Sequence, residues 1–548
     1  MIMIGERSNA LGAAALLLAV SLFPAPALPG EPGKEAGNDR ERRRAELLAS
    51  RATFGARVGD VERILAGGAE RWLEEQMHPE RIDDSALERR LAVYPDLELS
   101  PAELIRKYPK PDRTERREPD EVEAREPVPR DGRGRLLVEL SHAKLLRAVY
   151  SERQLQEVMT DFWFNHFNVY ARKNRSVLLT LPSYERDAIR PHVFGKFRDL
   201  LGATAEHPAM LVYLDNWVNS KEGFDPRKEI RDRMPGASRR SASRARVEAG
   251  EDESERKLGV NENYARELLE LHTMGVDGGY GQEDVVAVAR AFTGWSVVGP
   301  RLVEMRERLS RRLGDRLPDS LASLPEEGSF FFNSLAHDEG SKAVLGEEVK
   351  EGGRKDGLEI LDLVSRHPST ARFVSRKIAE RFVSETPPEN LVREMAVTFT
   401  RTDGDIRAVL RAMFLSPQFT EAGGKSEMVK TPLELVASSL RAVEVEDFDA
   451  GVVRSLFDLG MPLYLCQPPT GYDETSSVWL SAGNLLMRLK FTSDLVSGRV
   501  RGVGRPVIPA NLDGWTEAVA GGIAFSDAAA DPSARMALVL ASPAFQRQ

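Results

Sequence analysis

Asn263, Arg266, Glu267 and Glu270 recur at i, i+3, i+4 and i+7, so a helix would carry all four on one face, with His272 beside it. Carboxylates next to an imidazole are the side chains of general acid–base chemistry, which makes Glu267, Glu270 and His272 candidate catalytic residues. Asn263 and Arg266 could bind a polar ligand. The competing reading is a solvated helix face with an Arg266–Glu270 pair worth roughly 0.2–0.5 kcal/mol. Buried among other helices, the same set would need full hydrogen bonding.

A second constellation is Asp161, Asn165, His166 and Asn168, set among Phe162, Trp163, Phe164 and Phe167. Aromatic residues on every side imply burial, so the polar groups need partners. Asp161 and Asn165 are four apart and share a face. Imidazoles and carboxylates from several helices can hold a transition metal. His166, His272, Asp161 and His337 are therefore candidate ligands of a divalent metal, and Asn165 a candidate binding residue. The alternative is an internal network in which His166 bonds a backbone carbonyl. The Glu-x-x-His spacing of di-iron bundles is absent, as are HExxH, G-x-S-x-G and a complete P-loop. His337-Asp338-x-Gly340-x-Lys342 forms a third polar knot in a turn. Asp215 and Asn216 follow an apolar helix and could line a cleft.

The elements that would position these groups are mostly helices. Residues 262–274 are strong helix formers with Asn261 as N-cap, and Gly275, Gly278 and Gly279 stop that helix. Gln282–Phe292 restarts with apolar residues at helical spacing, which predicts a helical hairpin. His207-Pro208, His367-Pro368 and Asp531-Pro532 each place proline at the first helical position behind a capping residue. Residues 329–347, with three phenylalanines and an acidic Gly-containing turn, predict a short β-hairpin. Charge-dense stretches at 106–135, 232–257 and 301–327 cannot build a core and are predicted to be disordered insertions, the last containing a polar helix. The predicted fold is all-α: one large multi-helix domain with one or two short β-hairpins and charged disordered insertions.

Across 548 residues, 76 basic and 85 acidic side chains leave a net charge of −9, which argues against nucleic-acid binding. Cys466 is the single cysteine, so neither an internal disulfide nor a cysteine-based metal site can form. Arg7, the apolar run Ala10–Phe23 and Ala25-Pro26-Ala27 read as an export signal over residues 1–27. A flexible leader (28–44) and the helical domain (45–548) follow. The apolar run is too short for a membrane span, and the expected location is periplasmic or extracellular.

NENYARELLELHTMGV (residues 261–276), Gly278-Gly279-Tyr280 and ARAFTGW (289–295) resemble the signature of the secreted bacterial family known as domain of unknown function 1800. ATFG at 52–55 with Trp72-Leu73-x-x-Gln76 resembles its opening. The family's usual Thr or Ser after the tyrosine is Gly281 here, a weaker helix cap. The resemblance implies a helical exported protein. Its members are often encoded beside a secreted sulfatase-like protein, which implies a partner or shared pathway, with a polysaccharide as a further candidate partner. No reaction comes with the name. Two functions stay open: an extracytoplasmic binding or partner protein, and a metal-dependent hydrolase using the His/Glu/Asp cluster.

Overall fold

The computed structural model describes residues 34–109, 132–225, 259–314, 322–350, 352–424, 428–521 and 531–548. The proposed export signal, residues 110–131 of the first charged insertion and all of 232–257 lie outside these residues, whereas of 301–327 only 315–321 do. The chain divides into Met1–Glu41, described only from residue 34, and Arg42–Gln548. Helix begins at Lys34, inside the stretch read as a flexible leader, and runs to Arg51.

Arg42–Gln548 is built almost wholly of helices, and local chemistry explains where they start. His207, His367 and Asp531 all cap as expected, each side chain accepting a backbone N–H two residues on, with proline at the first helical position. Thr431 and Glu434 cap reciprocally the buried helix Pro432–Ala442. Ser416 and Ser542 do more than close their preceding helices: each caps a short new one, Pro417–Gly423 and Pro543–Gln546. The charged stretch after residue 300 contains the helix Pro300–Leu313. Trp163, Trp295, Tyr184, Tyr264, Phe167 and Phe197 are among the large side chains fully buried in the core.

The hairpin expected over 329–347 is arranged differently. Phe330–Phe332 pairs antiparallel with the distant strand Trp295–Val297, Trp295 facing Phe332. The true hairpin is Lys342–Val344 with Glu347–Val349. Leu345 and Gly346 both have positive φ (55° and 82°), the type I′ geometry that suits the twist of two paired strands. Leu345 adopts it because its N–H is held by Asp284 at 2.7 Å.

The helical hairpin forms with two changes. Asn261 bonds the N–H of Asn263 at 3.0 Å, and the helix proper starts one residue later than expected, at Asn263. From Leu268 to Thr273 it widens into a π-helix, with Met274 N–H reaching Leu269 and the Thr273 hydroxyl reaching Leu268. That widening breaks the 3.6 spacing, so Arg266 pairs with Glu262 (2.9 Å) and not with Glu270.

Candidate functional site

The π-turn places His272 in the core, where its carbonyl accepts a hydrogen bond from His166 Nε2 at 3.0 Å. The two rings lie 6.4 Å apart among Trp163, Phe167, Phe373 and Tyr264. Burial drives both imidazoles down, His166 to about 4 and His272 to about 3, so both are neutral at physiological pH. His166 thus belongs to an internal network, bonded to a backbone carbonyl.

The other candidate metal ligands belong to separate networks. Asp161 pairs with the buried Lys144 at 3.0 Å. Lys144 also reaches Glu185 (3.2 Å), and Glu185 accepts from the Tyr464 hydroxyl and faces Arg190, which pairs with Glu157 at 2.6 Å. Burial opposes the charge of Glu185, but Lys144 and Arg190 outweigh it and hold the carboxyl at about 2. His337 bonds the Thr293 carbonyl (2.8 Å) and Asp356 (3.2 Å), which also holds the buried Lys342 at 2.7 Å. Asp338 forms a two-point pair with Arg290. Among the described residues, no group of three or more His, Cys, Asp or Glu side chains converges on a point that could hold a metal.

The candidate binding amides are engaged in holding backbone. Asn165 donates to the Tyr472 carbonyl (2.8 Å) and accepts its N–H (2.7 Å), imitating a strand neighbour. Asn168 bonds the carbonyls of Cys466 and Pro468, so the two amides dock the 466–472 loop. Gly471 is required there: its φ is +76° and a Cβ would lie 2.4 Å from the Asn165 carbonyl oxygen. Asn216 bonds the Phe292 and Trp295 carbonyls, and Asn263 that of Leu214, stitching the apolar helix end to the helical hairpin. Asp215, in a left-handed conformation, pairs at the surface with Lys173. Glu267 and Glu270 stay half-exposed. Burial, then repulsion from Glu270, raises the Glu267 carboxyl.

Cavities adjoin one of these networks and open on another face of the protein. The smaller, about 20 Å³ and room for about one water, is lined by Asp161, Asn165, Arg381, Glu434 and Glu474. Burial raises the Glu474 carboxyl to about 7; Arg381 opposes that shift, and Glu434 and Asp161 add to it. The larger is a groove of about 1460 Å³, walled by the Arg42–Arg51 end of the first helix, residues 55–62, 442–447, 504–521 and the segment after Ala544. Val58, Val507 and Ile508 on its walls are 42%, 84% and 40% exposed. Arg42, Arg505, Glu62, Glu446 and Asp447 bring both signs of charge. The groove is not legible in the sequence because its walls come from opposite ends of the chain. The Lys144–Glu185–Arg190 network is also absent from the sequence-derived candidates, although a lysine and an arginine inside the apolar run LLVELSHAKLLRAVY signal one.

Residues 47–547 match the family model described as protein of unknown function (DUF1800). No curated protein and no solved structure matches the chain.

Proposed function

The chain belongs to the DUF1800 family, and on that premise we propose that it is an extracytoplasmic binding protein that holds an extended segment of a partner polypeptide in the large groove. The groove carries this reading. At about 1460 Å³ it exceeds the roughly 300–1,000 Å³ typical of small-molecule sites. Exposed aliphatic side chains beside charges of both signs suit a polypeptide, which offers apolar, acidic and basic groups along one strand. The export signal read at the N-terminus supports a role outside the cytoplasm. The sulfatase-like protein implied by the family resemblance is the first partner to test.

The metal-dependent hydrolase finds less support. It needs Asp161, His166, His272 and His337 in one coordination sphere, with bonds near about 2 Å. Asp161 instead bonds a lysine, His166 the His272 backbone carbonyl and His337 a carboxylate, in different networks.

The test is a photoreactive amino acid at Val507, with Val397 on the exposed face of the helix Glu389–Arg401 as control. Irradiation with the sulfatase-like protein should give one defined cross-linked species from position 507 and none from 397. Equal labelling from both positions would refute docking in the groove.

A further inference from the structure

Lys430 lines the same groove, just ahead of the helix Pro432–Ala442, and is only 6% exposed. Among the described residues no hydrogen-bond acceptor or ion-pair partner reaches its Nζ. What the amine touches is the face of Phe545, 3.8 Å from the ring centre. Its backbone is clamped on both sides: the N–H bonds the Gln546 carbonyl at 2.9 Å, and its own carbonyl accepts from Arg488. Glu434, whose charge acts on Lys430, is committed to Arg381, to its cap and to Gln548. The group is thus a nearly buried amine on a fixed stretch of backbone, beside a second cation, the arrangement that activates lysine as a nucleophile.

We propose that Lys430 is a covalent binding site for a small anionic carbonyl compound of the 2-oxo acid class, which it captures as an imine. The neutral amine adds its lone pair to the carbonyl carbon, and the carbonyl oxygen takes up a proton. Loss of that oxygen as water, with the remaining nitrogen proton, leaves the C=N bond, so amine and carbonyl give imine and one water. The anion is specified by its setting: the Arg488 charge acts on the lysine, and Arg51, also in the groove lining, is positive. Burial brings the Lys430 amine down to about 7, with Glu434 opposing and Arg488 adding to the shift. At neutral pH roughly half of it is nucleophilic, against about one in 2,500 for an ordinary lysine. This goes beyond the docking of a polypeptide but relies on the same groove being open.

The experiment treats the full-length mature protein with glyoxylate and cyanoborohydride at pH 7, and separately with formaldehyde and cyanoborohydride, then maps modified lysines by peptide mass. Glyoxylate should modify Lys430 roughly tenfold or more faster than any other lysine, and modification should be lost in Lys430→Met. Its rate should rise with pH around 7. If formaldehyde labels Lys430 but glyoxylate shows no preference for it, the imine proposal is overturned and the open groove stands. If neither reagent reaches it, both the proposal and the open groove fail. Because site preference is read in the unmutated protein, the result does not depend on how well Lys430→Met folds.

Discussion

Acidification from pH 6 to pH 5 should weaken this fold through its buried histidines, before most carboxylates begin to titrate. His166, His207 and His272 have an ordinary value of 6.5 and are lowered by burial to about 4, about 3 and about 3. A folded value below the unfolded one means that the unfolded chain binds the proton first. The stability these groups contribute is therefore complete above pH 6.5 and is lost as pH falls towards 4 and 3. Glu474 works the other way: its carboxyl rises from 4.5 to about 7, so between those values the native state holds a proton that the unfolded chain lacks. Three histidines against one carboxyl leave about two protons taken up on unfolding, or about 2.7 kcal/mol lost per pH unit. Burial lowers His142, His192 and His367 as well, which steepens the slope, while it raises the carboxyls of Glu267 and Glu327, which flattens it. Urea unfolding followed by circular dichroism at steps from pH 7 to 5 measures it. His166→Gln keeps a donor for the His272 carbonyl and removes one titrating group, so its slope should fall by about 1.4 kcal/mol per pH unit. Stability independent of pH between 6 and 5, or an unchanged slope in the variant, would refute the assignment of these imidazoles as neutral core groups.

Other perturbations have equally direct readouts. Lys342→Met strands the buried Asp356 carboxylate beside His337 and should destabilise by about 3–5 kcal/mol, seen as a lower urea midpoint; a midpoint unchanged from wild type would contradict the buried pair. Asn165→Ala removes both bonds to Tyr472 and should cost about 2 kcal/mol while exposing the 466–472 loop to proteolysis; a loop as resistant as before would contradict the clamp. Overnight chelation should leave the melting temperature unchanged, because His166, Asp161 and His337 are bonded within the protein. A drop reversed by one divalent metal would return the hydrolase reading to first place.

Helices are legible in the sequence where a signal is local. Proline behind His207, His367 and Asp531, and apolar spacing along Gln282–Ala291, each act within a turn or two. Strand pairing is not local: nothing near Phe330–Phe332 states that its neighbour is Trp295–Val297, some thirty residues earlier. The π-turn at Leu268–Thr273 is invisible to a 3.6 periodicity, and with it goes the expected Arg266–Glu270 pair. Asn165, Asn216 and His166 are legible as polar groups that need partners. Composition does not say whether those partners are ligands or other parts of the chain, and here they are mostly backbone carbonyls and an N–H, with the Glu474 and Asn219 side chains beside them. Lys430 is not legible at all, because a lysine before a proline-started helix reads as a surface residue until its burial against Phe545 is known.

The groove bounded by residues 55–62 and 504–521 is where we seat a partner polypeptide. The most direct measurement is photocross-linking from Val507 in the full-length protein, with the probe at Ile508 compared with and without Val507→Asp. One cross-linked product is expected from either probe position, and the yield from 508 should fall about tenfold or more when the aspartate places an unpaired charge on the apolar wall. An equal yield with the aspartate present, or the same product from the control position Val397, would contradict docking there.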